Sequence, residues 1–271
     1  MNMVYILSDF AKRQGYTVES YESVDSTNLI AQRKAQTGHQ GYLWIVAQEQ
    51  LQGRARRGRA WNSPKGNLYC SLLLMDDIVH QSAAQLGFVA GVSVAESIKQ
   101  FIKAEKQTGN ENIVSLKWPN DILLRGAKSS GILLEILKLP SQQDALVIGI
   151  GINVKYNYED ALYPTSSLQS IGLHIEAEQL FTVLTESFSR NYLLWKQPKG
   201  CEIIRNKWLL YSAHLGKYVK VMNDEKIVEG IFEGLDRDFN GIIKQKNGQT
   251  AIITAGDVHF GSAASVHAVG Y

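Results

Sequence analysis

Cysteine is almost missing from this sequence. Two occur in 271 residues, Cys70 and Cys201, far apart and without metal-ligand spacing. A disulfide framework is thereby excluded and a reduced compartment is the default; both thiols read as small buried hydrophobes. No apolar stretch approaches the roughly 20 residues of a membrane span. The segment Met1 to Tyr5 has neither a basic start nor a long apolar run, so it does not read as a signal peptide, and the expected location is cytoplasmic. An excess of one charge is lacking too. Lys and Arg total 28 against 26 Asp and Glu, a net +2, which points to neither nucleic acid nor an anionic membrane as partner. The six histidines form no ligand pair at helical spacing. There is no Gly-x-Ser-x-Gly elbow, no Walker-type phosphate loop, no internal repeat and no low-complexity stretch. What remains is ordinary globular composition, 45% apolar and 20% charged, enough for one large domain or a large one plus a small one.

Residues 1–20 are short and mixed, a single strand or helix. Asp25-Ser26-Thr27-Asn28 precedes Leu29-Ile30-Ala31, a helix N-cap signal, with Gly38 as the stop. Leu43 to Ala47 reads as a buried strand running into a Gly- and Arg-rich loop over 48–62, and Asn67 to Met75 as another strand. Ala83 to Ile102 and Leu180 to Trp195 carry helical apolar spacing. Val114 to Trp118, Gly131 to Leu137 and Ala145 to Val154 are further strands, joined by turn-rich segments containing Asn120-Asp121 and Gly126. Past Trp208 the texture changes to short alternating strands over 217–222, 227–232, 241–246 and 250–253. The separators are Asn223-Asp224, Asp238-Phe239-Asn240 and the hairpin signal Asn247-Gly248. The expected class is α+β: a catalytic domain over 1–213 with a mixed or antiparallel sheet and helices on one side, then a small β-barrel over 214–271.

Three segments could carry chemistry. Gly53-Arg54-Ala55-Arg56-Arg57-Gly58-Arg59-Ala60-Trp61 gathers four arginines in six positions. Its glycines allow close backbone approach, its guanidinium groups can grip carboxylate or phosphate in pairs, and Trp61 offers a flat face for an adenine. A solvated basic loop and a generic nucleic-acid patch compete with this anion site, although the near-zero net charge weakens the latter. Lys117-Trp118-Pro119-Asn120-Asp121, followed by Lys128 and Gly131, ends a strand at Pro119 and leaves Asn120 and Asp121 at its end, where ordinary turn chemistry is the alternative. Gly149-Ile150-Gly151-Ile152-Asn153 sets two glycines in an apolar run, which marks either close approach of a ligand or tight strand packing.

In this order the segments resemble the biotin protein ligase (holocarboxylase synthetase) family, from Ser26-Thr27-Asn28 through the arginine loop, Lys117 to Asp121, Lys128 to Glu135 and Gly149 to Asn153. The arginine loop together with Lys-Trp-Pro-Asn-Asp is the specific part. The resemblance implies a two-step reaction. Biotin and MgATP give biotinyl-5′-AMP and pyrophosphate, and a lysine of a biotin carboxyl carrier protein then attacks the mixed anhydride. It implies Lys128, Arg56 and Asp121 as catalytic residues, with Mg²⁺ near Asp121. Ser26, Thr27, Asn28, Gln50, Gly53, Arg54 and Gly131 would take biotin. Arg54, Arg56, Arg59, Trp61, Lys117, Asn120, Lys128 and Asn153 would take ATP and the adenylate. It implies an SH3-like form for the C-terminal barrel and leaves monomer and homodimer both open.

Three departures from the family pattern stand out. Ala55 replaces a usual glycine, and Gly261 lies where an arginine is common. Only about 20 residues precede the Ser-Thr-Asn motif, too few for a winged helix-turn-helix, so DNA binding and repressor activity are not expected. Lipoate and octanoyl transferases would share the broad fold but not this loop. A nucleic-acid-binding module predicts salt-sensitive binding without biotin-dependent ATP turnover. A biotin carrier would need a Met-Lys pair, and the chain has none.

Overall fold

The computed structural model describes residues 5–76, 80–105, 113–140, 144–158, 163–223, 226–254 and 257–259. Its main element is a seven-stranded sheet. The strands are β1 (Thr17–Val24), β2 (Leu43–Gln50), β3 (Leu68–Leu74), β4 (Val114–Lys117), β5 (Asp121–Leu124), β6 (Ala127–Lys138) and β7 (Asp144–Ile152). They lie in the order β1-β2-β3-β7-β6-β5-β4, parallel between β1 and β2 and antiparallel elsewhere. The helices are α1 (Asp9–Arg13), α2 (Thr27–Gln36), α3 (His80–Ala104), α4 (Ala177–Trp195) and α5 (Gly200–Leu210).

Side chains alternate across a strand, so each face of the sheet has its own partner. Trp44, Val46, Leu72, Leu74, Leu146 and Ile148 join the large core under α3, α4 and α5. Trp44 meets Phe181 and Phe188 of α4 edge to face, at ring separations of 5.7 and 5.6 Å. Residues of the opposite parity, Leu43, Ile45, Leu73 and Val147, pack under α2 through Ala31 and Ala35. The expectation of helices on one side therefore needs correction for α2. Its two buried alanines are small enough to lie flat on the second face. That helix packs chiefly on the β2–β3–β7 part of this face.

Two elements differ from the sequence reading. β5 starts at Asp121, inside a stretch read as turn-rich, and the short helix α5 follows α4. Residues 1–20 supply both α1 and the start of β1. Within the run read as an N-cap signal it is Ser26 that occupies the N-cap of α2, and its side chain makes no cap hydrogen bond. The C-terminal strands, β8 (Tyr218–Asn223), β9 (Lys226–Leu235), β10 (Gly241–Lys244), β11 (Thr250–Ile253) and β12 (Asp257–His259), pair antiparallel in the order β11-β10-β9-β8-β12. Gly248 turns the β10–β11 hairpin at φ +83°. This sheet shares the large core, and the Trp118 indole donates to the Phe239 carbonyl at 3.1 Å. Gly261 lies outside the described residues. Among the described residues, no helix is long and apolar enough to cross a membrane.

Candidate active site

The sheet register lays a row of site residues across the α2 face. Lys117 pairs with Asp121, Asp121 with Gly131, Gly131 with Gly151, and Gly151 with Tyr69. The two facing glycines leave a trough, and the Trp61 indole lies in it. A β-carbon on Gly151 would come within 2.7 Å of Trp61 Nε1, and one on Gly131 within 3.3 Å of its Cζ3. The two-glycine pattern of 149–151 thus reflects close approach by side chains from outside the strand.

At the end of this trough Lys128 Nζ pairs with Asp121 at 2.7 Å, with side-chain exposures of 13% and 16%. The ammonium also stands 5.5 Å from the Trp61 ring and 5.3 Å from that of Tyr163, within cation–π reach. A β-bulge between Ile122 and Leu123 interrupts the β5–β6 ladder beside it, a device that often re-aims a side chain. Lys128 is therefore no surface lysine.

The arginine loop spans the trough and is tied down on both sides. Arg54 Nη2 donates to both oxygens of Glu135 on β6 at 2.8 Å. Arg56 Nη1 donates to Asn120 Oδ1 at 2.9 Å, while Asn120 Nδ2 donates to the Ile132 carbonyl at 2.9 Å. Within the loop Arg54 bridges to Ala60, and Ala55 N–H donates to the Arg59 carbonyl at 2.7 Å. Ala55 itself is extended, at φ −119°, so the alanine fits without strain, and the positive φ falls on Arg57 and Gly58. Arg59 is exposed. Arg54 and Arg56 thus direct their guanidinium groups to the sheet, rather than outward where a polyanion would need them.

Deeper in, a polar cluster joins the start of α2 to the loop. Gln50 Oε1 accepts from Thr27 N and Oγ1 at 2.9 and 3.1 Å, and Gln50 Nε2 donates to Ser63 Oγ at 2.9 Å. Ser71 Oγ lies 2.7 Å from Thr27 Oγ1 and also bonds Asn28 Oδ1. Asn28 Nδ2 donates to Glu135 at 2.6 Å. Gly53 has no room for a side chain, since a β-carbon would sit 2.3 Å from the Trp61 carbonyl. Ser26, Thr27 and Asn28 are all buried. Beside them, the hydrogen bond from Arg33 holds the Asp25 carboxyl below the usual carboxylate range against a smaller effect of burial. Burial raises the Tyr69 phenol far above its ordinary value, so it serves as a neutral donor, to the Pro64 carbonyl at 2.8 Å.

The fold thus gathers Thr27, Asn28, Gln50, Gly53 and Arg54 into one cluster, and Asp121, Lys128, Gly131 and Trp61 into an adjoining one, with Arg56 and Asn120 closing the far side. Asn153 is buried, its Nδ2 donating to the Ser166 carbonyl at 3.1 Å. Arg59 Nε donates to the Arg56 carbonyl of its own loop at 3.5 Å. Four participants were not singled out by the sequence: Ser63, Ser71, Tyr163 and Glu135. Only Glu135 carried a signal, as an acid inside the apolar run 132–137. Among the described residues, no group of three or more His, Cys, Asp or Glu could hold a metal. Both cysteines are free; burial drives the Cys70 thiol far above its usual range.

Residues 20–153 match the model of the biotin/lipoate A/B protein ligase family. The chain is 34% identical over 246 residues to the biotin–[acetyl-CoA-carboxylase] ligase of Paracoccus denitrificans, covering 88% of this chain and 98% of that protein. It is 29% identical over 247 residues to the bifunctional ligase/repressor of Bacillus subtilis, covering 89% of this chain and 73% of that one. Among solved structures, the biotin protein ligase from Aquifex aeolicus in complex with biotin and ATP superposes with a TM-score of 0.74 at 28% identity. That match covers 90% of this chain and 97% of the other.

Proposed function

The chain belongs to the biotin protein ligase family, and on that footing we propose that the trough under the arginine loop is where biotin and ATP meet. The enzyme is an ATP-dependent ligase that makes biotinyl-5′-AMP and transfers biotin to a carboxylase carrier. In the first step a biotin carboxylate oxygen attacks the α-phosphorus of ATP. The bond to the β-phosphate oxygen breaks, and its electron pair leaves with pyrophosphate. Both reactants are anions, so the step requires cations fixed in advance.

Lys128, low in the trough, would stand between the carboxylate and the α-phosphate, with Arg54 and Arg56 offsetting charge from the loop. Ser26, Thr27, Asn28, Gln50, Gly53 and Gly131 would form the biotin end, where a ureido group needs matched donors and acceptors. Arg59, Trp61, Lys117, Asn120 and Asn153 would serve the nucleotide end. In the second step a carrier lysine amine attacks the carbonyl carbon, the bond to AMP breaks, and the amine sheds a proton. Asp121, beside Lys128, would orient that amine.

A magnesium ion fits this donor set only as one that arrives with the triphosphate. Asp121 could give it one oxygen, since Mg²⁺ usually takes one or two carboxylates plus substrate phosphates. Bound there it would neutralise charge on the phosphate oxygens. The same proposal takes residues 1–213 as the catalytic unit. It takes 214–271 as a small SH3-like barrel, of which the five-stranded sheet is a part, and places the protein in the cytoplasm with carrier domains as partners.

The observation that carries this reading is the Lys128–Asp121 pair at 2.7 Å beneath a doubly tethered arginine loop. Biotin-dependent exchange of labelled pyrophosphate into ATP tests it. Exchange that requires biotin is expected; folded protein showing none would overturn the reading.

A further inference from the structure

An acid beneath a loop suited to anions demands a reason, because it repels carboxylate and phosphate alike. Glu135 lies on β6 opposite Val147, with its side chain one-quarter exposed. Its two oxygens take Arg54 Nη2, and Oε2 also takes Asn28 Nδ2. Asn28 is fixed in turn by Ser71, and it reaches that depth because Gly149 has no side chain to block it. Glu135 is therefore the point at which the arginine loop and the start of α2 are joined. It engages a single nitrogen of Arg54, which leaves the rest of the guanidinium fork for a second anion.

We propose that Glu135 is a positioning residue for adenylation: it holds Arg54 over the trough and Asn28 at the biotin end before biotin arrives. A long, flexible side chain would otherwise lose its freedom at binding, at a cost to affinity. Glu135 does not touch the ligand in this scheme; it acts through Arg54 and Asn28. The inference rests on the ligase reading of the same trough.

Biotin-dependent pyrophosphate exchange separates the two claims. If the wild-type enzyme shows none, the ligase reading falls and this inference with it. Given wild-type exchange, Glu135→Gln keeps the volume and one acceptor but removes the charge. It is expected to raise the biotin KM about tenfold, the scale of one charge-assisted hydrogen bond, while kcat changes less than about threefold. Glu135→Asp, which keeps the charge, should restore part of the affinity. Arg54→Ala should raise the biotin KM as well, and because part of the effect of Glu135 runs through Arg54, Arg54→Ala combined with Glu135→Gln should raise the KM by less than the product of the two single changes. A wild-type biotin KM in Glu135→Gln would overturn the inference, as would a double variant whose KM change is the product of the two single changes.

Discussion

Gly149→Ala tests the polar cluster at its tightest point. The new β-carbon would stand 2.2 Å from Asn28 Oδ1 and 2.9 Å from its Cγ and Nδ2, where ordinary contact begins at 3.4 Å. The backbone of Gly149 cannot retreat, because it is laddered to Ser71 on one side and Leu133 on the other. Asn28, only 4% exposed, must swing away by about an ångström or more. It then loses its bonds to Glu135 and Ser71, while Ser71 keeps Thr27. At about 1 kcal/mol for a neutral bond and 1.5–3 for one to a charge, the loss is about 2.5–4 kcal/mol. That loss divides between folding and biotin binding, so a lower urea midpoint and a biotin KM raised about tenfold are expected, 1.4 kcal/mol per decade. Gly91→Ala in α3 is the control. Its β-carbon meets its nearest neighbours at 3.7–3.9 Å, so alanine should stabilise the helix by about 0.5–1 kcal/mol. A Gly149→Ala enzyme with wild-type urea midpoint and biotin KM would refute the argument.

Three further outcomes follow from the same geometry. Lys128→Ala should lower biotin-dependent pyrophosphate exchange about 100-fold or more, the scale of losing one fixed group that stabilises transition-state charge; a change within a few-fold would remove Lys128 from the chemistry. Arg56→Gly cuts the Asn120 tether, so labelled adenylate should dissociate about tenfold faster; an unchanged off-rate would contradict the closing role of the loop. His214 is buried beside the Phe232 ring, and burial, aided by Lys117 and Lys217, pushes its imidazole down to about 3. Its folded value lies below the unfolded one, so its contribution to stability is present above about pH 6.5 and is lost by about 1.4 kcal/mol per unit as pH falls from there toward 3. Urea midpoints at about pH 7.5 and 5.5 should diverge in the wild type and less so in His214→Leu; equal divergence in both would be against it.

The sequence exposed what is local. Apolar periodicity located α3 and α4, and Asn247-Gly248 located a hairpin, because helical spacing and positive-φ turns are written in neighbouring residues. β5 was hidden because a four-residue strand that begins at Asp121, directly after Pro119-Asn120, cannot be told from a turn. The parallel pairing of β1 with β2 and the position of α2 on the second face depend on contacts across the chain. The site divides in the same way. Arg54 and Arg56 could be singled out by type, and Lys128 and Asp121 through the resemblance to a known family, but that Lys128 faces Asp121 depends on the β5–β6 register. Glu135 meets Asn28 across 107 residues of sequence and Arg54 across 81, a relation no local pattern records. The bond from Asn153 to the Ser166 carbonyl, 13 residues on, is equally absent from any local pattern.

The most direct test is biotin transfer itself. The protein is incubated with ATP, Mg²⁺, labelled biotin and a biotin carrier domain, and carrier mass is followed beside a carrier whose acceptor lysine is arginine. The account predicts that one biotin is added to the lysine form only, and only with ATP. A carrier that stays unlabelled, or labelling that persists without ATP, would contradict it.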